Sequence, residues 1–451
     1  MSPSLPLAHG LGQREDLPLP EVYFIITAAV VLAVSFVALA VLWPQPRLEG
    51  SEERWRPLPG ALGRFLGSRA LRIVCGALGV LLLAVTIVAG LIGPENPSDN
   101  FGSNLVFVEF WVGMVFASLL FGDVFRAFNP WLAIGEALRL RGRRPYPEGL
   151  GYWPAAIGLL GFGLLELLPS TRDDPDNMAI AAIVYTVLTL AAMAVFGART
   201  WVERGESFGV YFNLVSRVSV FEVREGVAGR RPLLSGLARW VPRAGGVFLL
   251  AVLIGITTFD GFSSNKYWAD AEPELAALFE DAGASITGAV SWADAIGLAA
   301  AVLAVLGFYA LGIAGAKTVG GGFDARDLRR RFVHSLLPIA VVYVLAHYFT
   351  LLVFQGQAMT YLVSDPFGQG WDLLGTADAA IDYGVVSQNL TWYFQVVFVV
   401  GGHVAALVLA HDRALSVYDN ARLAVRSQYW MLLIMIGFTT LALWLLKSAG
   451  A

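Results

Sequence analysis

Apolar stretches of 18 residues or more, such as IITAAVVLAVSFVALAVL at 25–42, recur along the whole 451-residue chain. A stretch of that length is what a helix needs to cross about 30 Å of hydrocarbon. In lipid each backbone N–H and C=O must be satisfied within the protein, which leaves a helix that bonds itself or a closed barrel. The runs are unbroken rather than alternating, so helices are expected. Hydrophobic residues make up 57% of the chain and charged residues 15%, against about 25% charged in an ordinary soluble domain. The expected fold is all-α, a polytopic transmembrane helical bundle forming one integral membrane domain over 1–451.

Ten spans are read, at about 22–42, 73–93, 105–125, 152–169, 178–198, 244–260, 291–316, 332–354, 390–411 and 427–446. Basic residues mark the cytoplasmic side of a membrane protein. Of the 31 Lys and Arg, 27 fall in alternate connections, beginning with Arg47, Arg54, Arg56, Arg64, Arg69 and Arg72, and four fall on the other side. An error in span number would scramble this alternation. Both termini are therefore expected outside, with the first span acting as its own insertion signal. The 358–389 segment reads as an outer acidic loop, carrying Asp365, Asp372, Asp378 and Asp382 and no basic residue. In FRAFNPWLAIGEALRLRGRR, Asn129 is placed to cap a helix starting at Pro130, which reads as amphipathic and interfacial. The 199–243 connection reads as a structured cytoplasmic lid on the headgroups.

A single cysteine, Cys75, excludes an internal disulfide framework and a cysteine-ligated cluster. No basic tail points to nucleic acid, and the expected surroundings are the lipid bilayer. An ionisable group inside a span costs about 2.5–3.5 kcal/mol on insertion scales and so faces protein or a wet cavity. Glu109 is the carboxylate that stands out on this ground. Asp123, Glu166, Asp294 and Lys317 lie close enough to span ends for snorkelling to account for them. Four of the five histidines pair up on consecutive spans, His334 with His347 in HSLLPIAVVYVLAHYF and His403 with His411 in VVGGHVAALVLAHDRAL. At ~1.5 Å rise per residue, antiparallel spans put His334 and His411 near the cytoplasmic surface, His347 in the outer half beside Gln395, and His403 near mid-depth. Two readings stand for His347, His403 and Gln395. They hold a transition-metal ion or one b-type haem, with Glu109 and the outer His9 as further metal ligands, or they are interhelical hydrogen-bonding groups. The spacing of thirteen on one helix and eight on the other does not suit a stacked pair of haems.

HGLGQREDLPLP before the first span, then FNPW, HSLLPIAVVYVLAH and GGHVAALVLAHDRAL, in that order, resemble a bacterial family of polytopic membrane proteins, the fenitrothion hydrolase-like proteins. The resemblance implies an inner-membrane protein that cleaves an organophosphate ester, a metal-assisted hydrolase of phosphotriester-like compounds. Such chemistry uses clustered His and carboxylate ligands that activate water. The spacings HxH, HxHxDH and HExxH are absent, and no elbow-type serine nucleophile is expected. Two other functions fit the same residues. One is a transporter or proton-linked membrane component using Glu109 and the histidines as a relay. The other is a haem- or copper-binding subunit or maturation factor of a respiratory complex, which would have a membrane or periplasmic protein partner.

Overall fold

In the computed structural model, which describes residues 21–172 and 174–448, almost every apolar run becomes a helix. The long ones are α1 (Glu21–Leu42), α2 (Arg69–Ile92) and α3 (Phe101–Phe121), the last of which is a π-helix from Leu105 to Gly113. Two short helices follow, α4 (Val124–Phe128) and α5 (Pro130–Ala137), then α6 (Trp153–Leu167) and α7 (Pro175–Phe196). A second short pair, α8 (Ala198–Arg204) and α9 (Ser207–Ser216), precedes α10 (Gly246–Ser263), α11 (Lys266–Asp281) and α12 (Ile286–Lys317). The chain ends in α13 (Leu336–His347), α14 (Phe349–Gln355), α15 (Gln388–Val417) and α16 (Tyr429–Ser448). Among the described residues, nine helices are long and apolar enough to cross a membrane. A tenth candidate is bent by 44° between Ala325–His347 and Phe349–Leu362.

Burial sorts these helices into layers. Every residue of α13 is buried, and α10 is buried on nearly all sides. A helix that is apolar all round can be covered all round, and these two pack on each other at the centre of the bundle. Helices α1, α2, α7 and α12 instead expose aliphatic side chains such as Val37, Val41, Ile92, Leu188 and Leu311. Such a surface is unstable in water and suited to acyl chains.

Two expectations for the connections need correction. The FNPW helix is not interfacial. Asn129 does cap it, accepting from Leu132 N at 2.8 Å, but Pro130, Trp131 and Gly135 are buried. The carbonyl of Phe128 packs on Gly79, near the middle of α2, where a Cβ would lie 1.9 Å from it. α4 and α5 therefore form a hairpin that turns back at Asn129 inside the bundle. The arginines come after its end, so PWLAIG itself has no polar face to leave in water. In the 199–243 connection, α8 and α9 form a second inserted hairpin, and every residue of α9 except Asn213 is buried. Only the later part stays outside. There a three-stranded antiparallel sheet forms, β1 (Arg56–Pro57), β2 (Phe221–Arg224) and β3 (Val227–Arg230), in the order β1-β3-β2. Glu225 and Gly226 both have positive φ between β2 and β3, the backbone of a tight hairpin turn.

Candidate functional site

The two inserted hairpins meet at their tips. Glu206 ends the turn after α8 and caps α9, with its Oε1 accepting from Phe208 N at 2.9 Å and its Oε2 from Gly209 N at 2.7 Å. Asn129 Nδ2, at the tip of the other hairpin, donates to Oε2 at 3.0 Å. The Tyr185 hydroxyl, halfway along α7, donates to Oε1 at 2.6 Å. Two helix N-termini thus converge on one buried carboxylate, which suits the partial positive charge of each. Sequence reasoning singled out Asn129 but not Glu206. The signal was present: Gly205–Gly209 reads GESFG, a GxSxG spacing, so the expectation that no elbow-type serine occurs is wrong as a statement about the sequence. The context is nevertheless not that of a nucleophile elbow, which is a strand–turn–helix. Ser207 begins α9 between two helices, its N donates to the Tyr185 hydroxyl at 3.0 Å, and its Oγ lies over Gly158.

A second polar cluster is built on α6, α10 and α13. His347, the last residue of α13, places Nε2 2.7 Å from Oδ2 of Asp260 on α10. Tyr348 lies between two carboxylates, Asp260 and Glu166, and Trp111 and Tyr211 also adjoin Glu166. Glu166 and Asp260 are 3% and 1% exposed. Snorkelling therefore does not account for Glu166, because a neighbouring helix closes over each side of it. Asp294, also buried, accepts from Trp268 Nε1 at 3.0 Å. Asp260 went unremarked in the sequence because ITTFDGF lies at the boundary of its span, where an aspartate passes for a loop residue.

The other expected site residues take separate places. Gln395 Nε2 donates to the Ala346 carbonyl at 2.8 Å, tying α15 to α13 one residue before His347. His403 is fully buried, with Nδ1 2.8 Å from the Val399 carbonyl of its own helix and Nε2 without a hydrogen-bond partner among the described residues. His411 contacts the Trp43 carbonyl through Nε2 at 3.0 Å, and His334 is buried at the start of α13. Glu109 lies in the π-helical part of α3, with Gly113 and Gly356 against its carboxylate. His9 lies outside the described residues. Among the described residues no group of three or more His, Cys, Asp or Glu is arranged to hold a metal ion. His347 is engaged with Asp260 through Nε2 and His403 with the Val399 carbonyl through Nδ1, so the two imidazoles have separate partners.

No family profile, curated protein or solved structure matches the chain.

Proposed function

We propose that this chain is a proton-linked transport protein of a bacterial inner membrane, with ten spans and both termini outside. The observation that carries the reading is the buried hydrogen bond between His347 and Asp260, with Tyr348 and the buried carboxylate of Glu166 close by. Ionisable side chains this deep in an apolar bundle are costly and mark ion or proton pathways. A carboxylate and an imidazole in contact can hold or pass one proton with no movement of the backbone. The inserted hairpins add a second feature of transporters, irregular backbone inside the bundle flanked by half-helices. The basic residues supply the orientation. The hydrolase reading that the resemblance implies has Ser207 as its one elbow-spaced serine, beside a tyrosine rather than an imidazole.

The test is proton flux into liposomes that carry the purified protein and a trapped pH dye, driven by a potassium diffusion potential. Parent protein should acidify the lumen well above empty liposomes, and Asp260→Asn and His347→Asn should each slow it at least tenfold. Flux equal to that of empty liposomes, or variants as fast as the parent, overturns the proposal.

A further inference from the structure

A cavity of about 750 Å³ opens among α2, α3, α6 and α7, and its floor is the α4–α5 hairpin with Pro130 and Trp131. That is the volume of a drug-sized ligand site. Its walls are almost entirely aliphatic and aromatic. Val184 and Leu188, which line it, lie on the exposed face of α7, so the cavity opens sideways, toward the acyl chains rather than toward water.

One charged side chain breaks the apolar lining. Glu109 projects from the π-helical segment, a distortion that often marks functional sites. Among the described residues no hydrogen-bonding or charged group meets its carboxylate. Two glycines keep its oxygens clear, since a Cβ on Gly113 or on Gly356 would stand 3.2 Å from one or the other. Elsewhere in the bundle Glu206 has four donors, Asp260 an imidazole and Asp294 an indole. An unpaired carboxylate on the wall of an otherwise apolar, laterally open cavity is complementary to a cation with an apolar body.

We infer that this cavity binds lipophilic organic cations from the bilayer, with Glu109 as their counter-ion. The body of such a ligand is covered by the aliphatic walls, and its charge replaces lost hydration with one carboxylate in a low-dielectric setting, where the pairing is stronger than in water. The inference stands on the cavity and not on the His347–Asp260 relay. Binding is therefore measured at equilibrium, without any gradient, so that a failure of the transport reading leaves it intact.

The experiment uses the full chain in lipid nanodiscs, with radiolabelled tetraphenylphosphonium as probe and tetraphenylborate, of the same shape and opposite charge, as its control. Parent protein should bind the phosphonium saturably and the borate not at all. Glu109→Gln should weaken phosphonium binding at least tenfold. Gly161 lines the cavity with open space beyond its Cα, so Gly161→Phe should fill the cavity and abolish binding with Glu109 untouched. No saturable phosphonium binding by the parent overturns the inference, as does borate bound equally well, which would mean an apolar pocket for lipid chains. Unchanged binding by a monodisperse Glu109→Gln variant also overturns it. If Glu109→Gln does not fold, the parent's charge discrimination and Gly161→Phe still decide.

Discussion

Removing the Glu206 carboxylate should destabilise the bundle far more than loss of a helix cap. Four donors use it: Asn129 Nδ2, the Tyr185 hydroxyl, Phe208 N and Gly209 N. In Glu206→Ala the half-buried tyrosine hydroxyl can turn away, and three buried donors are left unpaired. At about 1–3 kcal/mol each, discounted for relaxation, the loss is about 3–6 kcal/mol, against about 1 kcal/mol for an ordinary cap. At about 2 °C per kcal/mol for a long chain, the melting temperature should fall by about 6–12 °C. Glu206→Gln keeps the shape but turns one acceptor into a donor, which leaves one backbone N–H unpaired in either amide orientation and costs about 1–3 kcal/mol. Adding Asn129→Asp supplies an acceptor for that new donor and still caps Leu132 N. The double variant should then be more stable than the two single losses predict, by ~1 kcal/mol or more, which is how a direct contact appears in a double-mutant cycle. The assay is the thermal loss of the monodisperse peak in detergent. A Glu206→Ala protein that melts within about 1 °C of the parent would refute the account on magnitude. Strict additivity in the cycle would refute the pairing of the two hairpin tips.

Asp412 gathers Trp43 Nε1, Arg47 N, Leu48 N and Glu49 N, so Asp412→Ala should release the segment after α1, measured as faster trypsin cleavage after Arg47; an unchanged rate means the segment is held elsewhere. Burial raises the pKa of Glu222, but Arg231 and Arg239 beside it more than offset this and leave it below the ordinary value of 4.5. Its folded pKa is depressed, so its contribution is complete above the unfolded pKa and is lost as pH falls through the folded one. Melting temperature between pH 7 and pH 4 should fall less steeply for Glu222→Gln than for the parent, and parallel curves would contradict this. In a Cys75→Ala background, cysteines at Val223 and Asp419 should resist an impermeant maleimide in intact cells while one at Leu373 reacts; the opposite pattern would reverse the proposed orientation.

The positions of the long helices were legible because burial in lipid constrains composition locally. A segment that must satisfy its own peptide groups and face hydrocarbon has to be apolar over its whole length, whatever its neighbours do. The read spans accordingly fall on α1, α2, α3, α6, α7, α10, α12, the bent α13–α14 pair, α15 and α16. Asn129 as a cap was legible for the same reason, since capping is settled within four residues. Other features were decided only by tertiary structure. PWLAIG and SFGVYF are too short to read as spans, and whether a short apolar helix lies on a membrane or inserts beside Gly79 and Gly158 depends on the space that distant helices leave for it. Asp260 and Glu166 looked like boundary residues because a one-dimensional reading measures distance to the end of a helix. What sets the environment of a charge is distance to water, and that is fixed by the helices packed around it. The pairing of His347 with Asp260 rather than His403 follows from which face of α13 meets α10 and which meets α15. That choice belongs to the packing of three helices, and no one of their sequences contains it.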